Sequence, residues 1–358
     1  MWTDRRILDL LSIELPIIQA PMAGANLSDM VIAVSEAGGL GSLPCALLSQ
    51  DKAREELARI RRHTKKPINV NFFCHRVPDV DVSREAAWKE RLKGYYLELG
   101  LDPDAPAPPS TRAPFDESYL SLVEEFRPEI VSFHFGLPQQ GLLKRVKDTG
   151  AKVLSSATTV AEARWLEDMG CDAIIAQGFE AGGHRGIFLT DDIATQVGTM
   201  ALVPQVADAV RVPVIAAGGI ADARGIVAAL ALGASAVQIG TAYLFTPEAT
   251  IAPLHRQALK SAKDDQTALT NIFTGRPARG IVNRVMREVG PISPAAPQFP
   301  LAGGALAPLR QKSEPLGSGD FMSLWSGQGA RLARELPAGE LTRTLAQEAL
   351  DRLGLRSA

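Results

Sequence analysis

Short apolar runs recur along the chain, and within them polar and apolar residues do not alternate. Continuous runs such as VPVIAAG at 212–218 suit strands that are buried on both faces, as in a parallel sheet. Eight such runs predict eight strands, at residues 16–20, 40–43, 68–73, 130–135, 152–157, 173–177, 212–217 and 236–240.

The segments between the runs have helical periodicity, and several end at a glycine. Ser28 and Asp222 are candidate N-caps. Eight strands alternating with helices predict an α/β fold, either a closed (β/α)8 TIM barrel or a doubly wound open sheet. The count of eight and the positions of the glycines favour the barrel. Helices are predicted at 28–37, 50–63, 140–148, 159–169, 200–210 and 222–232.

Two segments interrupt this alternation. The first, at about 74–128, is an insertion after the third strand, with a charged helix at 85–99 and the proline-rich run DPDAPAPPSTRAP. The second, 263–358, holds LTNIFTGRPARGIVNRVM, a Pro/Gly/Ala-rich loop and two terminal helices. Insertions after barrel strands lie on the active-site face. We therefore expect a cofactor-binding barrel domain at 1–262 and a substrate-covering segment at 263–358, with surface decoration as the alternative for both insertions.

Composition narrows the class of protein. A net charge of −2 without a basic stripe argues against nucleic-acid binding, and no apolar run reaches the ~18 residues of a membrane span. Cys45, Cys74 and Cys171 form no CxxC pair and are expected to be buried thiols in a reducing compartment. A cytoplasmic enzyme with small-molecule partners is expected, with the oligomeric state left open.

Two glycine signals mark a candidate phosphate site. Gly218-Gly219 ends the seventh predicted strand, and QIGT at 238–241 ends the eighth. Barrel enzymes often bind phosphate with these two loops and the start of a short helix, where backbone N–H groups carry partial positive charge. Thr241 adds a hydroxyl donor. No GxGxxG opens a βαβ unit and no P-loop is present, which argues against a dinucleotide fold.

The loop QGFEAGGHRG at 177–186 combines four glycines with Glu180, His184 and Arg185. The glycines allow a flat ligand to approach the backbone, and an imidazole can move protons near neutral pH. His184 is therefore the candidate base, although it could merely bond a neighbouring loop. Glu180 and Arg185 could form a structural ion pair. His134 is equally compatible with an active-site role and with a wall position, and no spacing indicates a metal site.

These segments together resemble the nitronate monooxygenases, formerly called 2-nitropropane dioxygenases. The resemblance covers nearly the whole chain, although AAGGI and QIGT occur in many FMN barrels. It rests on PIIQAPM (16–22), GGLGSL (38–43), NVNFF (69–73), QGFEAGGHRG, AAGGI (216–220), QIGT and SLWSGQ (323–328).

The resemblance implies a site with FMN as the cofactor. His184 would be the catalytic base, and His134 and Arg185 are tentative substrate contacts. Asn71 would bond the isoalloxazine, and the glycines after the last two strands would hold the phosphate. The implied cofactor residues are Ala20, Pro21, Met22, Asn71, Gln177, Gly182, Gly218, Gly219, Gln238, Ile239, Gly240 and Thr241.

The resemblance also implies the reaction. Members of the family oxidise alkyl nitronates such as propionate 3-nitronate with O₂, without reduced nicotinamide, and release nitrite and a carbonyl product. An FMN- and NADH-dependent enoyl-acyl-carrier-protein reductase, with a very similar EAGGH loop, is the alternative, and an NADH:quinone reductase is a third. HRG after EAGG and the segment SLWSGQ favour nitronate oxidation.

Overall fold

The eight predicted strands form one parallel sheet in the computed structural model, which describes residues 2–110 and 112–355. Residues 1, 111 and 356–358, which belong to the two predicted domains, lie outside the described part of the chain. Eight of the eleven strands of the described residues belong to the barrel, and the other three form a second sheet. In chain order the eleven strands are β1 (Ile17–Gln19), β2 (Gly41–Pro44), β3 (Ile68–Phe73), β4 (Ile130–His134), β5 (Lys152–Ala157), β6 (Ala173–Gln177), β7 (Gly183–His184), β8 (Val214–Ala217), β9 (Ala236–Ile239), β10 (Thr267–Thr270) and β11 (Ala278–Ile281).

The sheet closes on itself. Its order is β1-β9-β8-β6-β5-β4-β3-β2, and Leu40, directly before β2, joins the two ends. The Leu40 N–H donates to the Ile17 carbonyl, and the Leu40 carbonyl accepts from the Gln19 N–H, both at 2.9 Å. The predicted eight-stranded barrel is confirmed, and the strands are buried because side chains fill the barrel on one face and helices cover the other.

Helix α13 takes the place of the eighth barrel helix, because it packs against both α2 and α9. The end of the chain therefore belongs structurally with the barrel. The helices are α1 (Arg6–Leu11), α2 (Ser28–Glu36), α3 (Gln50–His63), α4 (Val82–Glu98), α5 (Glu117–Phe126), α6 (Gln140–Asp148), α7 (Val160–Asp168), α8 (Thr199–Ala209), α9 (Ala223–Ala231), α10 (Pro253–Ser261), α11 (Arg284–Val289), α12 (Ala307–Ser313) and α13 (Ala338–Arg352).

The two predicted N-caps have different outcomes. The Asp222 carboxylate accepts from the N–H groups of Arg224 and Gly225, at 2.9 and 3.3 Å, and caps α9 as predicted. The prediction for Ser28 is wrong, because Leu27 occupies the cap position of α2. Ser28 is already helical, and its N–H donates to Glu56 at 3.0 Å.

The two segments that interrupt the barrel pack against each other. Trp88 and Tyr96 of α4 share a second hydrophobic core with residues such as Ile272 and Phe321 of the C-terminal segment. The Trp88 indole N–H donates to the Ala302 carbonyl at 3.0 Å. We call α4 together with residues 267–325 the cap. Each half supplies apolar surface that the other half buries.

A small antiparallel sheet, which the sequence did not predict, connects the cap to the barrel. β10 pairs with β11, and β11 pairs with β7, so that Ala278 lies opposite His184 and Arg279 opposite Gly183. The loop after β6 is therefore held by the C-terminal segment. Among the described residues, no helix is long and apolar enough to cross a membrane.

Candidate active site

A cavity of about 320 Å³ opens at the carboxyl ends of the barrel strands, and residues of the cap, including Met322 and Trp325, form part of its wall. It brings together side chains and loops that lie up to about three hundred residues apart in the sequence. The predicted site residues that line it are Ala20, Pro21, Met22, Asn71, His134, Gln177, Gly182, His184, Gly218, Gly219, Gln238, Gly240 and Thr241.

Two predicted site residues, Ile239 and Arg185, do not line this cavity. Ile239 is fully buried in the barrel core, and its carbonyl accepts from the Ala20 N–H at 2.8 Å. Arg185 is also fully buried. Its guanidinium donates to the carbonyls of Gln177 (2.7 Å) and Gly178 (2.6 Å), and so it braces the loop instead of meeting a substrate.

Glu180 forms no ion pair with Arg185 among the described residues. Its carboxylate accepts from the Thr199 N–H at 2.8 Å and from the Thr199 hydroxyl at 2.7 Å. Thr199 begins α8, where a carboxylate satisfies free N–H groups and interacts favourably with the positive end of the helix dipole. Glu180 thus ties the loop after β6 to α8.

The predicted phosphate site has free backbone donors. Within the described chain, the N–H groups of Gly219, Ile220, Gly240 and Thr241 donate to no other residue, and all four residues line the cavity. The N-terminus of α9 is not part of this set, because Asp222 already caps it. The anion site therefore rests on the two loops and on the short 3-10 helix Thr241–Phe245.

The SLWSGQ segment docks on this end of the cavity through glycines. The Gly327 N–H donates to the Thr241 hydroxyl at 2.9 Å, and the Gln328 N–H donates to the Glu180 carbonyl at 3.0 Å. A Cβ on Gly182 would lie 2.4 Å from the Gly327 nitrogen, closer than real contacts allow. Glycine at 182 is needed because the two backbones touch.

His184 is held at the other side of the same loop. The Gln177 side-chain amide donates to the His184 carbonyl at 2.9 Å, and the ring Nε2 lies 3.0 Å from the Thr274 hydroxyl. Thr274 donates its only proton to the Arg276 carbonyl, at 3.3 Å. Its oxygen therefore accepts from the His184 Nε2–H, and the lone pair of the neutral imidazole is on Nδ1.

The surroundings of His184 keep it uncharged. Burial lowers its pKa well below the usual 6.5, and the nearby positive charge of Arg112 lowers it further. Four aromatic rings surround it, and those of Phe299 and Trp325 are 5.4 and 5.7 Å away between centroids. Such a histidine is a neutral proton acceptor throughout the physiological pH range.

His134 supports the His184 loop from the wall. Its Nδ1 lies 3.0 Å from the Ser156 hydroxyl, and its Nε2 lies 3.3 Å from the His184 carbonyl. Burial and the charge of Arg276 lower its pKa to about 3. Both ring nitrogens thus have protein partners, which favours the wall position over direct work on a substrate.

Two polar side chains of the cavity wall have acceptor oxygens without a hydrogen-bond partner among the described residues. The Gln238 Oε1 is buried without a hydrogen-bond partner among the described residues. Asn71 donates through Nδ2 to the Ser132 hydroxyl at 2.9 Å, which leaves its Oδ1 as a free acceptor in the described structure. Together with the free N–H groups, these atoms fit a ligand that has an anionic end and a ring with both donors and acceptors.

The charge of the wall has one sign. Its charged residues in the described structure are Arg112 and Arg310, both cations, and it contains no Asp or Glu. A cavity with this charge attracts anions and disfavours cations. No group of three or more His, Cys, Asp or Glu side chains that could hold a metal occurs in the part of the chain that the structure describes.

Several residues of the site were missed from the sequence. Arg112 comes from the proline-rich run, and Thr274 and Arg276 come from TGRPARG, a motif whose partner cannot be read from spacing. His255 of α10 also lines the cavity. It holds the cap through its Nε2, 2.9 Å from the Trp325 carbonyl.

The closed barrel, the glycine-containing loops after β8 and β9, and a polar cavity under a cap define the class: a (β/α)8-barrel protein with a candidate ligand site at the carboxyl ends of its strands. The family model for nitronate monooxygenase matches residues 4–348. The chain belongs to the nitronate monooxygenase family.

Individual relatives agree with this assignment. A nitronate monooxygenase from Pseudomonas aeruginosa is 45% identical, over 97% of this chain and 99% of its own length. The crystal structure of a nitroalkane oxidase from Streptomyces ansochromogenes superposes with a TM-score of 0.88 at 39% identity, covering 98% of this chain and all of that one. FabK from Thermotoga maritima is more distant, with a TM-score of 0.74 and 29% identity over 98% of this chain and 97% of that one.

Proposed function

We propose that the protein oxidises alkyl nitronates, such as propionate 3-nitronate, with O₂ and an FMN cofactor, releasing nitrite and a carbonyl product. The observation that carries this proposal is the pairing of a neutral histidine with an arginine-bearing wall that has no carboxylate. Nitronates are anions, and such a wall favours their entry over that of neutral analogues. The relatives named as nitronate monooxygenases support the same reaction.

FMN fits the residues that are present. The free N–H groups of Gly219, Ile220, Gly240 and Thr241 would hold its phosphate, and Gln238 and Asn71 would meet its ring. When bound, FMN would supply the redox chemistry by taking electrons from the nitronate and passing them to O₂. A single anion site without a dinucleotide fingerprint favours FMN over FAD.

The residues of the chain would bind and orient the substrate and would exclude water from the site. His184 Nδ1 would accept a proton from the carbon of a neutral nitroalkane, and Thr274 would hold the ring in the required tautomer. A nitronate has already lost that proton, so for it the imidazole would act mainly as a contact. The aromatic rings of Phe73, Phe299 and Trp325 would keep bulk water from the reacting carbon.

A reductase is the second candidate, because FabK shares this barrel at 29% identity. The lower identity and TM-score, compared with those of the nitroalkane oxidase, favour nitronate oxidation. The two candidates differ in their electron donor. Anaerobic addition of NADH should leave the yellow colour of the proposed oxidase unchanged, whereas a reductase would be bleached rapidly.

Nitrite release from propionate 3-nitronate under air tests the proposal directly. The purified protein should be yellow, and denaturation should release FMN, identified by mass spectrometry. Turnover should require O₂ and no nicotinamide. Release of FAD, or the absence of nitrite together with fast NADH oxidation, would contradict the proposal.

A further inference from the structure

Arg112 is the cation that the insertion contributes to the cavity wall. Three residues after Arg112, the Phe115 N–H donates to the Phe73 carbonyl at 2.7 Å. This bond fixes the position of Arg112. The Phe115 ring packs 4.8 Å from that of Phe72 between centroids. The proline-rich run thus returns to the barrel at the end of β3 and holds Arg112 at the mouth.

The guanidinium of Arg112 has no partner among the residues that the structure describes. Its side chain makes no hydrogen bond or ion pair with any described residue, and only its backbone N–H is bonded, to Ser110 at 3.2 Å. Burial lowers its pKa. A cation in such a position costs stability unless an anion arrives to pair with it.

The other arginines near the site already have partners in the described structure. Arg185 is bonded to loop carbonyls, and Arg276 stacks on Phe135 at 4.2 Å and donates to the Ile187 carbonyl. Arg310, the other arginine of the described wall, pairs with Glu314 at 2.9 Å. Arg112 is thus the wall arginine whose guanidinium makes no bond to any described residue.

Arg112 lies on the His184 side of the cavity. Phe73, whose carbonyl anchors the loop that carries Arg112, has its ring 6.1 Å from that of His184 between centroids, and the charge of Arg112 lowers the pKa of His184. An anion held by Arg112 would therefore lie near the proposed proton acceptor, where the reacting carbon must be.

We propose that Arg112 binds a planar, two-oxygen anionic group of the substrate and thereby selects anionic substrates for this cavity. A guanidinium offers two parallel N–H donors that match such a group, which a lysine ammonium cannot reproduce. Both a nitronate and a carboxylate have this geometry. The inference rests on the proposed nitronate oxidation, and it adds a residue and a ligand chemistry to it.

The test compares Arg112→Gln and Arg112→Lys with Arg76→Gln, a matched control on an exposed arginine of the same insertion. KM and kcat are measured for propionate 3-nitronate and for propyl-1-nitronate, which lacks the carboxylate. Arg112→Gln should raise KM about 10- to 100-fold with a smaller change in kcat. Arg112→Lys should recover part of this loss, and Arg76→Gln should match the wild type.

The pattern across substrates identifies the bound group. A loss confined to propionate 3-nitronate assigns Arg112 to the carboxylate, and a loss on both substrates assigns it to the nitronate. Unchanged KM on both, or equal losses in the Arg76 control, would overturn the proposal. If Arg112→Gln folds poorly, the comparison uses Arg112→Lys, which keeps the charge and most of the bulk of the side chain.

Calorimetric binding of propionate to the holoenzyme separates this inference from the proposed function. If the wild type oxidises no nitronate, the proposed function fails, but a Kd for propionate that weakens in Arg112→Gln still supports the anion site. Absence of propionate binding to the wild type, or an equal Kd in both proteins, would overturn the role of Arg112 whatever reaction the enzyme performs.

Discussion

At the scale of single residues, His184 combines a fixed tautomer with a depressed pKa. Thr274 accepts from the His184 Nε2–H, and burial beside the positive charge of Arg112 keeps the ring neutral. Nδ1 is therefore available as a proton acceptor even at pH values below the usual histidine pKa of 6.5. Neither property follows from the sequence motif, because Thr274 lies ninety residues further along the chain.

His184→Asn should separate the two forms of substrate. A neutral nitroalkane must lose a carbon proton before oxidation, and loss of a general base typically costs about 10²- to 10⁴-fold. We expect the variant to retain FMN and nitronate oxidation but to lose turnover of any neutral nitroalkane that the wild type accepts. The measurement is kcat/KM for both forms in both proteins. Equal losses on the two forms would leave His184 as a substrate contact only.

Gly219→Ala should lower flavin occupancy, with Gly100→Ala as its control. Both glycines have positive φ, +71° and +66°, so both variants carry similar backbone strain of about 1–2 kcal/mol. Gly219 lines the cavity, whereas Gly100 ends the α4 segment with open space around its Cβ position. The FMN-to-protein ratio should fall for Gly219→Ala alone. Equal ratios would mean that the phosphate lies elsewhere.

At the scale of elements, the cap is stable because its two parts are packed together. α4 is charged on its exposed side, and its buried residues Trp88, Leu92 and Tyr96 meet residues that follow about two hundred positions later. Polar bonds also join α4 to the C-terminal segment, among them those from Arg284 to Glu98 at 2.6 Å and from Tyr95 to Glu288 at 2.8 Å. Removing either half would expose the apolar face of the other.

Trp88→Ala should loosen the cap without unfolding the barrel. Truncating a buried tryptophan typically costs about 3–5 kcal/mol, and here it also removes the hydrogen bond to Ala302. We expect faster proteolysis within residues 267–325, weaker flavin retention and nearly unchanged far-ultraviolet circular dichroism. Leu97→Ala, on an exposed position of the same helix, should change stability by no more than about 0.5 kcal/mol. Equal protease sensitivity of the two variants would argue against the shared core.

At the scale of the whole molecule, burial of histidines around one cavity makes stability depend on pH. Burial, with the charge of Arg276, lowers the pKa of His75 to about 4 and that of His134 to about 3. Below the unfolded value of about 6.5, the unfolded chain takes up protons that the folded protein does not. The free energy of unfolding therefore decreases as the pH falls from 6.5 towards 4.

Urea unfolding at pH 7, 6 and 5 should show this decrease, with a slope of up to about 1.4 kcal/mol per pH unit for each buried histidine. His75→Leu, which removes one of these groups from an aromatic pocket, should have a shallower slope. His63→Leu, at an exposed position on α3, is the surface control. A wild-type stability that is constant from pH 7 to 5 would contradict the prediction.

The sequence by itself determined the barrel. Continuous apolar runs can be buried only between two covering layers, and all eight predicted strands, together with their helices, were found within a few residues of their predicted bounds. The glycine pairs also identified the cavity loops, because only glycine allows the close approaches and positive φ found at Gly182 and Gly218. These features are local, so local patterns predict them.

The tertiary structure alone decided which polar residues meet. Arg185 looked like a substrate contact because it follows His184, yet its side chain turns away from the cavity towards the loop carbonyls. The sequence pattern does not distinguish Arg112 and Thr274 from other loop residues. The hydrogen bond between Phe115 and Phe73 brings Arg112 to the site, and the pairing of β11 with β7 brings Thr274 there. Such contacts depend on packing between distant segments, and spacing along one chain does not encode them.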